Sequence, residues 1–200
     1  MPNRRHVLLL PLLAPACAPR EAPPVAPPAP IGYRHLLPLP LNVAALEILE
    51  ADPPPPPGDV GATLSPRPAE AVRIMARDRL SAIGTQGRAV FAVTRAGIAR
   101  GPGEALTCLV GCRLDILSPA GARLGFIEAE ARAAATGAEA ARPWAAERLL
   151  RTAMDQLNVE FEFQLRRNLR DWLVAVPPGT WGGVPAPPPG GVTREDLPRS

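Results

Sequence analysis

The stretch Leu106–Leu117, LTCLVGCRLDIL, decides the fold. Leu106, Cys108, Val110, Cys112, Leu114 and Ile116 share one face, while Thr107, Arg113 and Asp115 point the other way. A period of two held over the whole stretch predicts a half-buried β-strand. Ser118-Pro119-Ala120-Gly121 follows as a turn, with proline at its second position. Arg123–Ala135 then sets Ile127, Ala129, Ala131 and Ala133 against Glu128, Glu130 and Arg132. Those small alanines predict a helix lying close over that face. On the other side, Arg88–Ala99, RAVFAVTRAGIA, is rich in β-formers and stops at Gly101-Pro102-Gly103. The core of the chain is therefore expected to be three strands in a mainly antiparallel sheet.

Helical signals flank these strands. Ser65-Pro66 reads as an N-cap with proline at the first helical position, and the helix is predicted to run to Ile83, with Gly84 as its stop. Val72, Met75, Ala76 and Ile83 form its apolar face and Leu80 borders it. Arg73 and Arg77 lie elsewhere and read as a solvated face rather than a phosphate site. Pro143 opens the longest predicted helix, to about Leu173. Leu150, Ala153, Leu157, Phe161, Leu165, Leu169 and Trp172 recur on it at spacings of three and four. Glu147 near its start and Arg166, Arg167 and Arg170 near its end suit the helix dipole. Leu41–Leu49, LNVAALEIL, is the first strand, with a short helix as the competing assignment, and the prolines of Asp52–Pro57 end it. The expected order is β-α-β-β-β-α. That is an α+β two-layer sandwich over residues 41–174, a sheet of about four strands with two helices on one face.

The flanks are of another composition. Arg4 and Arg5 precede the apolar run Val7–Leu13, and Ala14-Pro15-Ala16 brings small residues up to Cys17. Charge, apolar run and small residues in that order are a secretory signal, expected over residues 1–16. The run is too short to span a bilayer, which takes about 20 apolar residues. Residues 17–40 are proline-rich and predict an extended tether, because proline lacks the N–H and fixes φ. Residues 175–200 are rich in proline and glycine and are expected to be a disordered tail, in which Trp181 is a candidate docking anchor.

Charge and composition exclude some classes of function. All 22 basic residues are arginine, against 19 acids. Loss of residues 1–16 removes Arg4 and Arg5 and leaves +1, so the mature chain has no electrostatic footprint for nucleic acid. The chain has two histidines, one in the signal and one, His35, in the tether, and no serine elbow or phosphate loop. No cofactor, metal or catalytic residue is therefore expected. Cys108 and Cys112 stand about 13 Å apart along a strand at about 3.3 Å per residue, too far for a disulfide. They read as small buried hydrophobes. Glu128 and Glu130 share a face, which an exposed strand produces without any acid–base role. The polar face offers Arg113, Asp115, Glu128, Glu130 and Arg132, with Trp181, as the candidate partner surface.

Leu13-Ala14-Pro15-Ala16-Cys17 resembles a lipobox, in which the cysteine is lipidated and becomes the first mature residue. Ala18 is not the aspartate that retains such proteins at the inner membrane, so the resemblance implies an outer-membrane anchor with the domain in the periplasm. With the proline-rich tether and the element order, the chain resembles small Gram-negative envelope lipoproteins, of the LPS-assembly type or the auxiliary lipoproteins of ABC transporters. The resemblance covers Met1–Cys17 closely and Leu41–Leu173 by element order alone, and it transfers no binding residues. It implies a non-enzymatic accessory subunit for an envelope protein complex or amphiphile transport. A periplasmic hydrolase or transferase is the alternative.

Overall fold

The computed structural model describes residues 30–175. The expected signal, Cys17, the tether up to residue 29 and Trp181 lie outside the described residues. The architecture is α+β in two layers, a four-stranded sheet with helices on one face.

Strands β4 (Arg88–Gly101), β5 (Ala105–Leu117) and β6 (Arg123–Ala135) run antiparallel in chain order. β5 is central, and its alternation is the one read from sequence, with Leu106, Cys108, Val110, Cys112, Leu114 and Ile116 all buried. The turn after β5 closes on Ser118, whose carbonyl accepts from Gly121 N at 2.9 Å and whose hydroxyl accepts from Ala122 N at 3.1 Å.

The expected first strand is corrected. Leu41–Leu49 does not form one strand but divides between β1 (Leu39–Leu41) and β2 (Ala45–Ile48). β2 joins the large sheet parallel to β4, with a helix in the connection, as a parallel pair requires. β1 pairs in parallel with β3 (Leu80–Ala82) in a separate two-stranded sheet. The packed region also begins before Leu41, since Tyr33, Leu39 and Pro40 are buried.

Helix α1 spans Pro68–Arg79, shorter at both ends than predicted. Pro68 is the proline that opens it, and Arg67 before it is extended, as a residue preceding proline must be. The end comes at Arg79 because Leu80 leaves the helix to pair with Leu39. Gly84 is not the helix stop. A β-carbon there would overlap the backbone of Asn42 and Val43, so glycine serves a close approach of two chains. Ile83 accordingly leaves the apolar face and is exposed.

A short helix, α2 (Gly137–Ala140), precedes α3 (Ala145–Asn168), and a 3-10 turn follows at Arg170–Trp172. Leu150, Ala153, Leu157, Phe161, Leu165 and Leu169 are buried, and Trp172 is half-buried. α3 lies on β6 and β5, over the alanines of β6, while α1 lies on β4. Gly125 sits under Leu169, where a β-carbon would stand 2.8 Å from Leu169 Cδ2. Phe91 of β4 meets Phe161 of α3 edge to face, centroids 5.9 Å apart.

Arg73, expected on a solvated face, is buried instead, and so is Arg79, while Arg77 is exposed as expected. Arg73 donates to the carbonyls of Leu49 at 3.1 Å and Glu50 at 2.7 Å, and to the Asp52 carboxylate. Arg79 donates to the Leu37 carbonyl at 3.0 Å, to Asn158 and to Glu162. A guanidinium carries five donors in a fixed fork, and burial is tolerable because these acceptors satisfy it. Arg73 thereby ties the proline loop to α1, and Arg79 ties the segment before β1 to both long helices.

Candidate functional site

The face of the sheet away from the helices carries the charge. Because β5 and β6 are in register, Arg113 opposes Glu128 and Asp115 opposes Phe126. Arg113 is held by Asp115 through two contacts of 2.8 Å and by Glu128 at 3.0 Å. Its guanidinium carbon stands 4.3 Å from the Phe126 ring centroid, and that of Arg123 stands 5.0 Å from the same ring. Arg123 also lies 3.8 Å from Asp115. The Asp115 hydrogen bond, ahead of the Glu128 charge, holds the Arg113 pKa above its ordinary value and outweighs burial.

The candidate residues are thus brought onto one face, in two groups. Arg113, Asp115 and Glu128 form one ion network, and Glu130 pairs with Arg95 of β4 at 2.8 Å. Arg132 is exposed on the same face and has no ion pair among the described residues.

Sequence reading missed Arg95, Arg123 and Phe126. Phe126 was legible from the β6 alternation, whereas Arg123 is in phase with the buried Ile127 and Ala129 and reaches the charged face beyond a register shift at Ile116/Leu117. Arg95 depended on a β-bulge, in which β5 moves from Cys112 to Gly111 while β4 moves from Val93 to Arg95. Its signal was a phase slip, since the buried residues of β4 change from Ala89, Phe91 and Val93 to Ile98.

Beside this network lies an open cavity of about 390 Å³. Pro53, Pro54, Pro56 and Pro57 form one wall, and Thr94, Gly97, Thr107 and Leu109 are among the residues that form the other. The loop crosses β4 at Gly97, where a β-carbon would overlap the Pro56 ring. Asp59 holds it there by accepting from Ile98 N at 2.8 Å and Gly61 N at 3.0 Å. The cavity is largely apolar, with Arg95 as its charged residue.

Both thiols are on the other face. Burial pushes Cys108 up to about 12, with the Asp59 charge adding to it, and burial pushes Cys112 up further. Both are unbonded, buried thiols, as the strand reading expected. Among the described residues no three metal-ligating side chains converge, and no helix is long and apolar enough to cross a membrane.

No family model and no curated protein matches the chain. Solved structures do. A Xanthomonas campestris protein of the DUF330 family shares 9% identity, over 68% of this chain and 98% of that one, at a TM-score of 0.38. A minor lipoprotein from Acinetobacter baumannii shares 15% identity over 70% and 100%, at 0.36. A putative lipoprotein from Caulobacter crescentus shares 15% over 60% and 85%, at 0.32. Likenesses this distant assign neither a family nor an activity.

Proposed function

We propose that the chain is an envelope lipoprotein, held at the outer membrane by an acylated Cys17, whose folded domain binds an envelope partner without catalysing a reaction. The observation that carries the anchor is the order Arg4-Arg5, Val7–Leu13, Ala14-Pro15-Ala16 and Cys17. Support for a binding role comes from the exposed sheet face, where Arg113, Asp115, Glu128 and Phe126 hold one another in place before any partner arrives. A surface ordered in advance loses less entropy on binding.

Two features favour the binding reading over the alternative of a periplasmic hydrolase or transferase. Both thiols are buried, and the carboxylates are engaged, Glu128 by Arg113 and Glu130 by Arg95.

The test is the intact mass of the protein purified from native membranes, with membrane fractionation alongside. The expected result is a chain beginning at Cys17, carrying acyl mass, in the outer-membrane fraction. An unmodified chain cut elsewhere and found in the soluble fraction overturns the anchor. The partner role is tested by pull-down from solubilised envelopes against a tether-only control, and recovery of nothing above that control sinks it.

A further inference from the structure

The two sides of the large sheet are finished differently. Along β4 the edge is taken by β2 over Arg88–Phe91 and by Gly58–Val60 over Ile98–Arg100. β6 pairs with β5 on one side and, among the described residues, with no strand on the other. Its free edge runs the whole of Arg123–Ala135 and contains no proline. Natural sheets shorten, kink or cover such an edge, because its open N–H and C=O groups template another strand.

We propose that β6 pairs antiparallel with β6 of a second copy, about a two-fold axis at Ala131, so that one sheet runs through both protomers. Charge decides the register. A two-fold pairing that keeps each face on its own side can centre on several residues. Centred on Glu130 it sets Glu130 against itself, and centred on Ala129 it sets Glu128 against Glu130. Centred on Ala131 it sets Glu130 against Arg132 twice and Glu128 against Ala134, with no like charges opposed. Arg132, without an ion pair among the described residues, gains one in this register.

Helix α3 supplies an independent observation. A cavity of about 510 Å³ is lined by Arg132 to Thr136, from both faces of β6, and by Arg148, Thr152 and Gln156 of α3, so it opens on the free edge. The same stripe of α3 continues at helical spacing to Val159 and Phe163, which are 68% and 50% exposed. Two large apolar side chains therefore stand beside an unpaired strand. α3 runs antiparallel to β6, with Ala145 beside Ala135 and Leu169 over Gly125. From Gly125 to Ala131 is roughly 20 Å, or about 13 residues of helix, which places the axis near Gln156. Val159 and Phe163 of one copy then meet the Arg148–Thr152 stretch of the other and leave water.

The test is sedimentation of the full chain in detergent, kept below one chain per micelle. Wild type sediments as a dimer. Arg132→Glu and Glu130→Arg each oppose like charges and weaken dimerisation about tenfold or more. An equimolar mixture of the two variants recovers the dimer, because each supplies the charge the other lacks, and recovery also shows that both fold. A monomeric wild type, single variants that stay dimeric, or a mixture that fails to recover each overturns the proposal. Hydrogen exchange on the wild type guards against misfolded variants. Protection of the Glu128–Ala134 amides rises with protein concentration if β6 pairs with itself. Protection that is independent of concentration, or gained only on adding another protein, overturns it.

Discussion

Arg79 donates from Nε to the carbonyl oxygen of Leu37 at 3.0 Å, across 42 residues of chain. The same guanidinium reaches Asn158 and Glu162 on α3. One buried side chain thus holds the entry segment, α1 and α3 together. Replacing it by alanine leaves the Leu37 carbonyl and the Asn158 amide oxygen without this donor and leaves Glu162 with Arg166 alone. Arg79→Ala is expected to cost about 3–5 kcal/mol in urea unfolding, the range for breaking a buried ion pair. Arg79→Lys is expected to recover only part of that, because an ammonium lacks the planar fork.

Glu162 makes this contact sensitive to acid. Burial pushes its pKa up, but hydrogen bonds from Arg79 and Arg166 outweigh that and hold it below its ordinary value of 4.5. A carboxyl lowered in the folded state stabilises the protein above its unfolded pKa, and that stability goes as pH falls through the folded one. Melting temperature is expected to fall more steeply below pH 4.5 in wild type than in Glu162→Gln.

Tyr33 is the sole tyrosine of the chain, which makes it a spectroscopic probe. Burial, then the charge of Asp155, raises its phenol above the ordinary 10.0. With the folded value raised, the stability it contributes is complete below pH 10 and is lost as pH rises toward the folded value. Tyrosinate absorbance is expected to stay flat through pH 10 and to appear only with alkaline unfolding. A normal titration curve in the folded protein contradicts the burial of the entry segment.

Cys108 and Cys112 are expected to resist thiol reagents at neutral pH, since the thiolate is the reacting species. Mass mapping after alkylation should find both unmodified in the native chain and both modified in denaturant.

Gly97→Ala tests the proline loop. The added methyl overlaps the Pro56 ring and must lift the loop from β4, at an expected cost of about 1–3 kcal/mol in thermal or urea unfolding.

The strands β4, β5 and β6 and the buried stripe of α3 were legible in the sequence because their periodicity is local. Each alternation reports one element against one face. Most features that eluded sequence reading rest on contacts between distant segments. Leu80–Ala82 continues the helical pattern of α1 but pairs with Leu39–Leu41, and long-range hydrogen bonds override local propensity. Arg73 looks solvated in a helical pattern, and its burial depends on the carbonyls of Leu49 and Glu50. At the candidate site, Arg113, Asp115, Glu128 and Glu130 were assigned to one face from the pleat alone. The pairing of Glu130 with Arg95 required a bulge that only the β4–β5 register reveals.

By itself the sequence determined the α+β class and the polarity of each sheet face, since these follow from residue type and spacing along one segment. Tertiary structure decided where α1 ends, which arginines are buried and which edge of the sheet stays open. Those outcomes turn on which backbone donors and acceptors find partners across the fold, and no single stretch of sequence contains both members of such a pair.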